Sequence, residues 1–258
     1  MVSAHDGFAL DLDGVVWLTG EPIPGSVEAI ASLRAGGRRV VFLTNDPRST
    51  REEYAERLRR IGVEAEVEDV LTSGTAVAEA VAAEMPGAGV YVVGSDALRA
   101  ELRVAGLEVV GGSDSSADAV VVGGHSGFDF AELHEAMTAV RAGAELWATG
   151  RDPVYPTAEG LLPGSGAIVA AVETASGATA RVAGKPEPAM FEAARRRLRA
   201  DHPAIVGDSL DSDIAGGAAA GFATILVLTG RASRADADRA PARPDLIVPS
   251  LAAFADSS

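Results

Sequence analysis

Apolar and polar positions fall in blocks along the chain. Phe8-Ala9-Leu10, Val40-Val41-Phe42-Leu43, Ala204-Ile205-Val206 and Thr224-Ile225-Leu226-Val227-Leu228 are short apolar runs. Such runs suit strands of a parallel sheet buried on both faces. Between them, apolar residues recur at helical spacing. Val27, Ile30 and Ala31 precede the stop at Gly36-Gly37; Tyr54, Leu58 and Ile61 follow a Thr50/Glu53 capping box; Met190, Phe191, Ala194 and Leu198 form a third set. Val70 to Thr72 reads as a strand, and Thr75 to Met85 as a helix stopped by Pro86.

A second set of the same kind begins near Pro86. Val90 to Val93, Ala119 to Val122 and Leu146 to Thr149 read as strands. Asp96 to Ala105 reads as a helix, and so does the Asp129/Glu132-capped stretch carrying Phe130, Leu133, Met137 and Val140. Pro22 to Gly25 and Arg151 to Gly166 read as loops, Ile168 to Thr174 as a helix, and Ile214 to Ala220 as a helix of small residues. Arg231 to Arg243 reads as a solvated loop or short helix, and Leu246 to Val248 as a last strand. Strands alternating with helices predict an α/β fold with a parallel sheet, interrupted by a smaller α/β unit. No fixed period recurs, so solenoids and propellers are excluded.

Composition narrows the function classes. The 258 residues, 47% hydrophobic, can bury a sizeable core. The net charge of −15 argues against non-specific binding to nucleic acid or an anionic membrane. It leaves room for a small anionic substrate where a metal and local cations set the field. With no cysteine, disulfides, thiolate metal sites and cysteine nucleophiles are excluded. Met1 to Asp6 lacks the basic and apolar regions of a signal peptide. No apolar run is long enough to span a bilayer. The expectation is a soluble, cytoplasmic protein with no membrane partner.

Four polar stretches fall at strand ends or helix starts: Asp11-Leu-Asp13, Thr44-Asn45-Asp46, Lys185, and Gly207-Asp208 running to Asp213. In an open parallel sheet ligands bind beyond the carboxyl ends of the strands. Asp11 and Asp13 share a face if the first strand persists that far. Paired carboxylates at a strand end invite a divalent cation, and Gly14 frees the backbone to turn. Together the stretches supply a nucleophile candidate, polar donors, a cation and a second acidic group, an inventory that suits phosphoryl transfer. Each stretch alone has an ordinary explanation. Thr44-Asn45-Asp46 is a common strand-end turn, a lone lysine is usually on the surface, and Asp208, Asp211 and Asp213 suit a helix start. For Asp211 the helix-start reading is preferred. A phosphate-binding P-loop is disfavoured, because Lys185 is followed by Pro186 and the glycine spacing is wrong. His5, His125, His134 and His202 are scattered. Arg195, Arg196, Arg197 and Arg199 read as a solvated face, and Trp17 and Trp147 as packed side chains.

In this order the four motifs resemble the haloacid dehalogenase-like (HAD) phosphatases. The branch they resemble most is the NagD/4-nitrophenylphosphatase-like one, subfamily IIA. Ala148-Thr-Gly-Arg-Asp-Pro153 and Gly160-Leu-Leu-Pro-Gly-Ser-Gly166 resemble the signature of that branch's inserted cap. The resemblance implies a Rossmann-like parallel-sheet core, residues 1–76 and 184–258, with an α/β cap, residues 77–183, that closes over the substrate. It implies that Asp11 is the nucleophile and Asp13 the general acid and base. Mg²⁺ would be bound by Asp11, Asp208 and the Asp13 carbonyl, with Asp213 supporting from outside. Thr44, Asn45 and Asp46 would hold the phosphoryl group, Lys185 would offset charge, and Tyr155 would stand near a substrate-reaching cap position. Asp46, where the family commonly has Asn, and Gly150 are departures. The implied reaction is hydrolysis of a small phosphorylated metabolite. Within the branch the sequence is similar to actinobacterial glycerol 3-phosphate phosphatases. Sugar phosphates, nucleoside monophosphates and pyridoxal phosphate stay open as substrates. A phospho-accepting module and a catalytically silent binding protein stay open as other classes. The resemblance also raises a homodimer through the cap, for which no residue pattern here argues.

Overall fold

The computed structural model describes residues 4–111, 117–157 and 160–255. Of the stretches discussed above, Met1 to Ser3, residues 112–116, Ala158, Glu159 and residues 256–258 lie outside the described residues. The chain forms two compact units: residues 1–44, 51–71 and 185–258, and residues 45–50 and 72–184.

The first unit opens with β1 (Gly7–Asp11), a hairpin of β2 (Trp17–Leu18) and β3 (Glu21–Pro22), α1 (Ser26–Ala35), β4 (Arg39–Thr44), α2 (Arg51–Arg60) and β5 (Val70–Thr72). The second unit carries α3 (Ser73–Glu84), β6 (Gly89–Val93), α4 (Asp96–Val104), β7 (Glu108–Val110), β8 (Ala119–Val122), α5 (Phe130–Arg141) and β9 (Glu145–Ala148). It continues through β10 (Val154–Thr157), β11 (Gly160–Pro163), α6 (Ser165–Ser176) and β12 (Arg181–Val182). The chain then returns to the first unit with α7 (Pro188–Leu198), β13 (Pro203–Gly207), α8 (Gly216–Ala219), β14 (Ala223–Val227), α9 (Arg234–Arg239) and β15 (Leu246–Val248).

The six-stranded sheet runs β15-β14-β13-β1-β4-β5. β1 pairs parallel with β4 on one side and with β13 on the other. The order therefore reverses direction at β1/β13, the place where an open α/β sheet leaves a crevice beyond its strand ends. Every residue of β1 and of β13 is buried, which is why both read as unbroken apolar runs. Phe8, Leu10, Phe42, Tyr54, Leu58 and Trp17 lie in one core on one side of this sheet. The second unit has its own parallel sheet, β12-β9-β8-β6-β7, and its own core around Val120, Val122 and Val169.

The alternation of strands and helices predicted an α/β fold with parallel sheets, and that is the architecture observed. Four local expectations differ. β1 ends at Asp11, so Asp11 and Asp13 do not share a strand face; residues 12–17 turn back instead, with Val16 N–H donating to the Leu12 carbonyl at 2.9 Å. Pro22 belongs to the β2/β3 hairpin and not to a loop. The stretch 151–166 contains the antiparallel hairpin β10/β11. All four β11 residues are exposed, so no buried alternation marks it in the sequence. The helix expected from Ile214 begins earlier, as a π-helical turn at Leu210–Ala215 that leads into the short α8.

Leu58, fully buried between α2 and the sheet, tests the packing of the first unit. Leu58→Ala should lower its stability by about 2–5 kcal/mol. Urea unfolding followed by Trp17 emission in a Trp147→Phe background measures this; an unmoved midpoint would contradict the packing described.

Candidate active site

The strand ends at the β1/β13 crevice carry the acidic residues. Asp11 is the last residue of β1, and Asp208 directly follows the last residue of β13. Asp213 sits on the π-helical turn after it, 1% exposed. Carboxylate oxygens of Asp11, Asp208 and Asp213 lie within 4.8 Å of one another. Lys185, 4% exposed, enters from the segment before α7 and donates from Nζ to Asp11 Oδ1 at 2.5 Å and to Asp213 Oδ1 at 2.6 Å.

Glycines make this crowding sterically feasible. A Cβ on Gly207 would stand 2.2 Å from that of Asp213, and one on Gly14 would stand 2.4 Å from Asp208 Oδ2. Gly14 also has φ of +87°, a conformation glycine adopts without strain. Asp213 is fixed by the turn itself, its Oδ2 accepting from the Ser209 N–H at 3.1 Å.

Three carboxylates against one ammonium leave the cluster two negative charges in excess. Burial pushes the Asp11 carboxyl well above the usual range, with Asp213 and Asp208 adding to the effect although Lys185 opposes it. Burial and the charge of Asp213 push Asp208 up to about 6, against the Arg231 N–H that opposes them. Burial alone would lower the Lys185 ammonium, but Asp11 and Asp213 outweigh it and its pKa is raised. The lysine therefore stays charged while the carboxylates remain under-compensated. An all-oxygen cluster with this excess fits a hard divalent cation, which would supply the missing charge.

Asp13 lies in the turn after β1 and is exposed at the surface of the unit. Its Oδ1 accepts from the Trp17 indole Nε1 at 3.0 Å. Thr44 is buried at the end of β4, the strand beside β1. The structure thus brings Asp11, Lys185, Asp208 and Asp213 together, with Asp13 and Thr44 at neighbouring chain ends of the same sheet.

The remaining candidates belong to the second unit. Asn45 Nδ2 donates to Asp152 Oδ2 at 3.0 Å. Asp46 is held in a two-pronged pair by Arg48, at 2.7 and 2.6 Å. The Arg48 guanidinium also lies 3.7 Å from the centre of the Tyr155 ring. The carboxylate that departs from the family's usual Asn therefore has a cation of its own two residues away.

The sequence reading missed the loop between β14 and α9. Arg231 N–H donates to Asp208 Oδ2 at 2.8 Å, and Ala232 N–H donates to the Asp208 carbonyl at 3.1 Å. Thr229 Oγ1 donates to the Gly14 carbonyl at 2.6 Å. A Cβ on Gly230 would meet Asp208 Oδ2 at 1.9 Å. Only the Thr-Gly pair at Thr229-Gly230, just after an apolar strand, could have hinted at this wall. Asp211, by contrast, is exposed on its turn, as expected of a helix-start residue. Arg195, expected on a solvated face, is half-buried instead: it packs on Phe222 and donates to the Ala220 carbonyl. Trp17 and Trp147 are both buried.

Gly230→Ala must displace Asp208 or the loop that holds it. The affinity for Mg²⁺, titrated by calorimetry, should fall about 10-fold or more, the usual cost of disturbing groups that orient a ligand. An unchanged affinity would remove Asp208 from the cation site.

Residues 8–108 match the haloacid dehalogenase-like hydrolase family, and residues 182–254 match the HAD-hydrolase-like family. The D-glycerol 3-phosphate phosphatase of Mycobacterium tuberculosis is 42% identical over 234 residues, 90% of this chain; the chain spans 65% of that relative's length. A crystal structure of glycerol phosphate phosphatase from M. tuberculosis in complex with magnesium superimposes with a TM-score of 0.93 at 40% identity, covering 98% of this chain and 77% of that one. NagD from Escherichia coli K-12 superimposes with a TM-score of 0.88 at 34% identity, covering 96% and 97%. With the acidic cluster at the sheet's reversal point and similarity along nearly its whole length, the chain belongs to the haloacid dehalogenase-like hydrolases.

Proposed function

We propose that the protein is a Mg²⁺-dependent phosphomonoesterase acting on a small phosphorylated metabolite through an aspartyl-phosphate. The observation that carries this reading is the buried Lys185 ammonium held between Asp11 and Asp213, with Asp208 in the same cluster. It favours the ionised form of Asp11 against the burial that raises that carboxyl, while leaving negative charge for a cation to answer.

In this reading an Asp11 carboxylate oxygen forms a bond to phosphorus as the ester P–O bond breaks. Asp13 gives its carboxyl proton to the leaving oxygen, then takes a proton from the water that hydrolyses the aspartyl-phosphate. Lys185 limits repulsion between Asp11 and the incoming phosphate. Thr44, with Asn45 and Asp46 directly after it, holds the phosphoryl oxygens. Asp11, Asp208 and the Asp13 carbonyl would hold Mg²⁺, and Asp213 would keep Lys185 and the cluster in place. When bound, the ion supplies charge neutralisation to the transferring phosphoryl group.

Glycerol 3-phosphate is the substrate we favour, because the M. tuberculosis relative named for it is 42% identical. We assign residues 1–76 and 184–258 to the catalytic core and 77–183 to the cap, with Tyr155 as its substrate-side candidate. Among the described residues no helix is long and apolar enough to cross a membrane, and we place the protein in the cytoplasm. A homodimer through the cap is part of the same proposal.

A panel of phosphate esters with Mg²⁺ should yield phosphate with turnover. Asp11→Asn should abolish it, and Asp13→Asn should lower it about 10²-fold or more. A chelator should stop the reaction and added Mg²⁺ restore it. Turnover that survives Asp11→Asn would sink the mechanism. A single stoichiometric phosphorylation without turnover would favour a phospho-accepting module.

A further inference from the structure

The mechanism above asks Asp13 to pass a proton along one direction, yet Asp13 lies outside the strand and its side chain is exposed. A carboxyl in that position has rotamer freedom unless something fixes it, and misplacement by about 1 Å costs about 10²-fold in a positioned reaction. A fixing contact comes from within the same turn. Trp17 is 1% exposed, and its indole Nε1 donates to Asp13 Oδ1 at 3.0 Å. A buried indole N–H needs an acceptor, and Asp13 provides it.

The turn that presents this donor is itself tied down. Gly14 N–H donates to the Trp17 carbonyl at 2.8 Å, and Trp17 N–H donates to the Leu12 carbonyl at 3.1 Å. The Gly14 carbonyl receives the Thr229 hydroxyl at 2.6 Å. Ser26 Oγ donates to the Val16 carbonyl at 2.9 Å. The indole ring is held as firmly. It stacks on Tyr54 at 6.4 Å with an interplanar angle of 12°, and the Arg57 guanidinium lies 4.8 Å from its centre. A cation over the ring draws electron density from it, which strengthens the N–H as a donor. All these groups belong to the first unit.

We infer that Trp17 is the positioning residue of the proton-transfer step: its indole N–H, fixed by Tyr54 and Arg57, aims the Asp13 carboxyl at the leaving-group oxygen. The inference rests on the phosphatase reading proposed above. In the step it governs, the Asp11–phosphorus bond forms, the ester P–O bond breaks, and the departing oxygen takes the Asp13 proton. Alkyl phosphates, whose leaving alkoxide needs that proton, depend on the aim. 4-Nitrophenyl phosphate, whose phenolate leaves as a stable anion, depends on it far less.

The experiment compares kcat/KM for glycerol 3-phosphate and for 4-nitrophenyl phosphate in the wild type and in Trp17→Phe. This parameter reports the phosphorylation half-reaction, in which the leaving group departs. The alkyl-to-aryl ratio should fall about 10-fold or more in Trp17→Phe, a part of the 10²–10⁴-fold that general acid catalysis supplies. Leu58→Ala, which weakens the core of the same unit but leaves the indole and the groups that hold it in place, should keep the ratio within about two-fold while lowering the melting temperature. Should Trp17→Phe fail to fold, 3-benzothienylalanine at position 17 keeps the bicyclic shape without the N–H, and should lower the ratio in the same way. An equal loss on both substrates, or an unchanged ratio in the donorless protein, overturns the inference. A wild type that hydrolyses no ester of the panel overturns instead the phosphatase reading on which it rests; if another alkyl ester of the panel is the better substrate, it replaces glycerol 3-phosphate in the ratio.

Discussion

A single buried ammonium organises the first unit's site. Lys185 reaches Asp11 across 174 residues of sequence, and Asp213 from the other direction across 28. Burying a lysine is costly unless anions surround it, and burying two carboxylates is costly unless a cation joins them. The three groups satisfy one another only if β1, β13 and the segment before α7 meet at one point. The parallel sheet provides that point: the strand order reverses at β1/β13, and both strands end in the same crevice. Nearly all of a second unit can be inserted between Leu71 and Lys185 because the electrostatic link depends on where the chain leaves and returns, not on the length between.

Charge alone would not hold such a cluster at this density. The side chains approach because backbone replaces side chain around them. Gly207 lies against Asp213, and Gly14 and Gly230 both lie against Asp208, each so near that a methyl group would overlap the carboxylate. Asp208 is then fixed by N–H groups of Arg231 and Ala232. The Arg231 N–H holds a carboxylate oxygen and the Ala232 N–H the backbone carbonyl, so these peptide groups fix Asp208 without themselves adding a full charge. A second lysine in their place would halve the excess negative charge and weaken the site's demand for a divalent ion.

How much of this the sequence disclosed follows from which interactions leave a period or a motif. The parallel strands were legible, since burial on both faces makes Phe8-Ala9-Leu10 and Ala204-Ile205-Val206 continuous apolar runs. The acidic cluster was legible because Asp11 ends a strand and Asp208 directly follows one, where a polar residue needs a reason. The β10/β11 hairpin was not, because an exposed hairpin carries no apolar alternation. Nor was the part played by Arg231 and Ala232, whose contacts run through backbone N–H groups that any residue but proline could supply. Trp17 was read correctly as packed. Its second property, a donated hydrogen bond four residues back, depends on how the turn from Leu12 to Trp17 closes, which a glycine at position 14 alone does not disclose.

Asp46 illustrates how a departure in one residue can be absorbed locally. A bare carboxylate directly after Asn45 would oppose any anionic ligand brought to that turn. Arg48 meets it with both prongs of its guanidinium, at 2.7 and 2.6 Å, and the planar fork matches the carboxylate in a way a lysine would not. The pair carries no net charge, as an asparagine in the same place would carry none. Yet the two solutions are not equivalent. The guanidinium plane also covers the Tyr155 ring at 3.7 Å, so the acidic residue at position 46 fixes an arginine, and the arginine fixes an aromatic residue 107 positions along from it. An asparagine offers one acceptor oxygen and no charge, so it would hold the arginine by a single weaker bond. The departure therefore couples the turn after β4 to the β10/β11 hairpin within the second unit, and any further change at position 46 acts on Tyr155 as well.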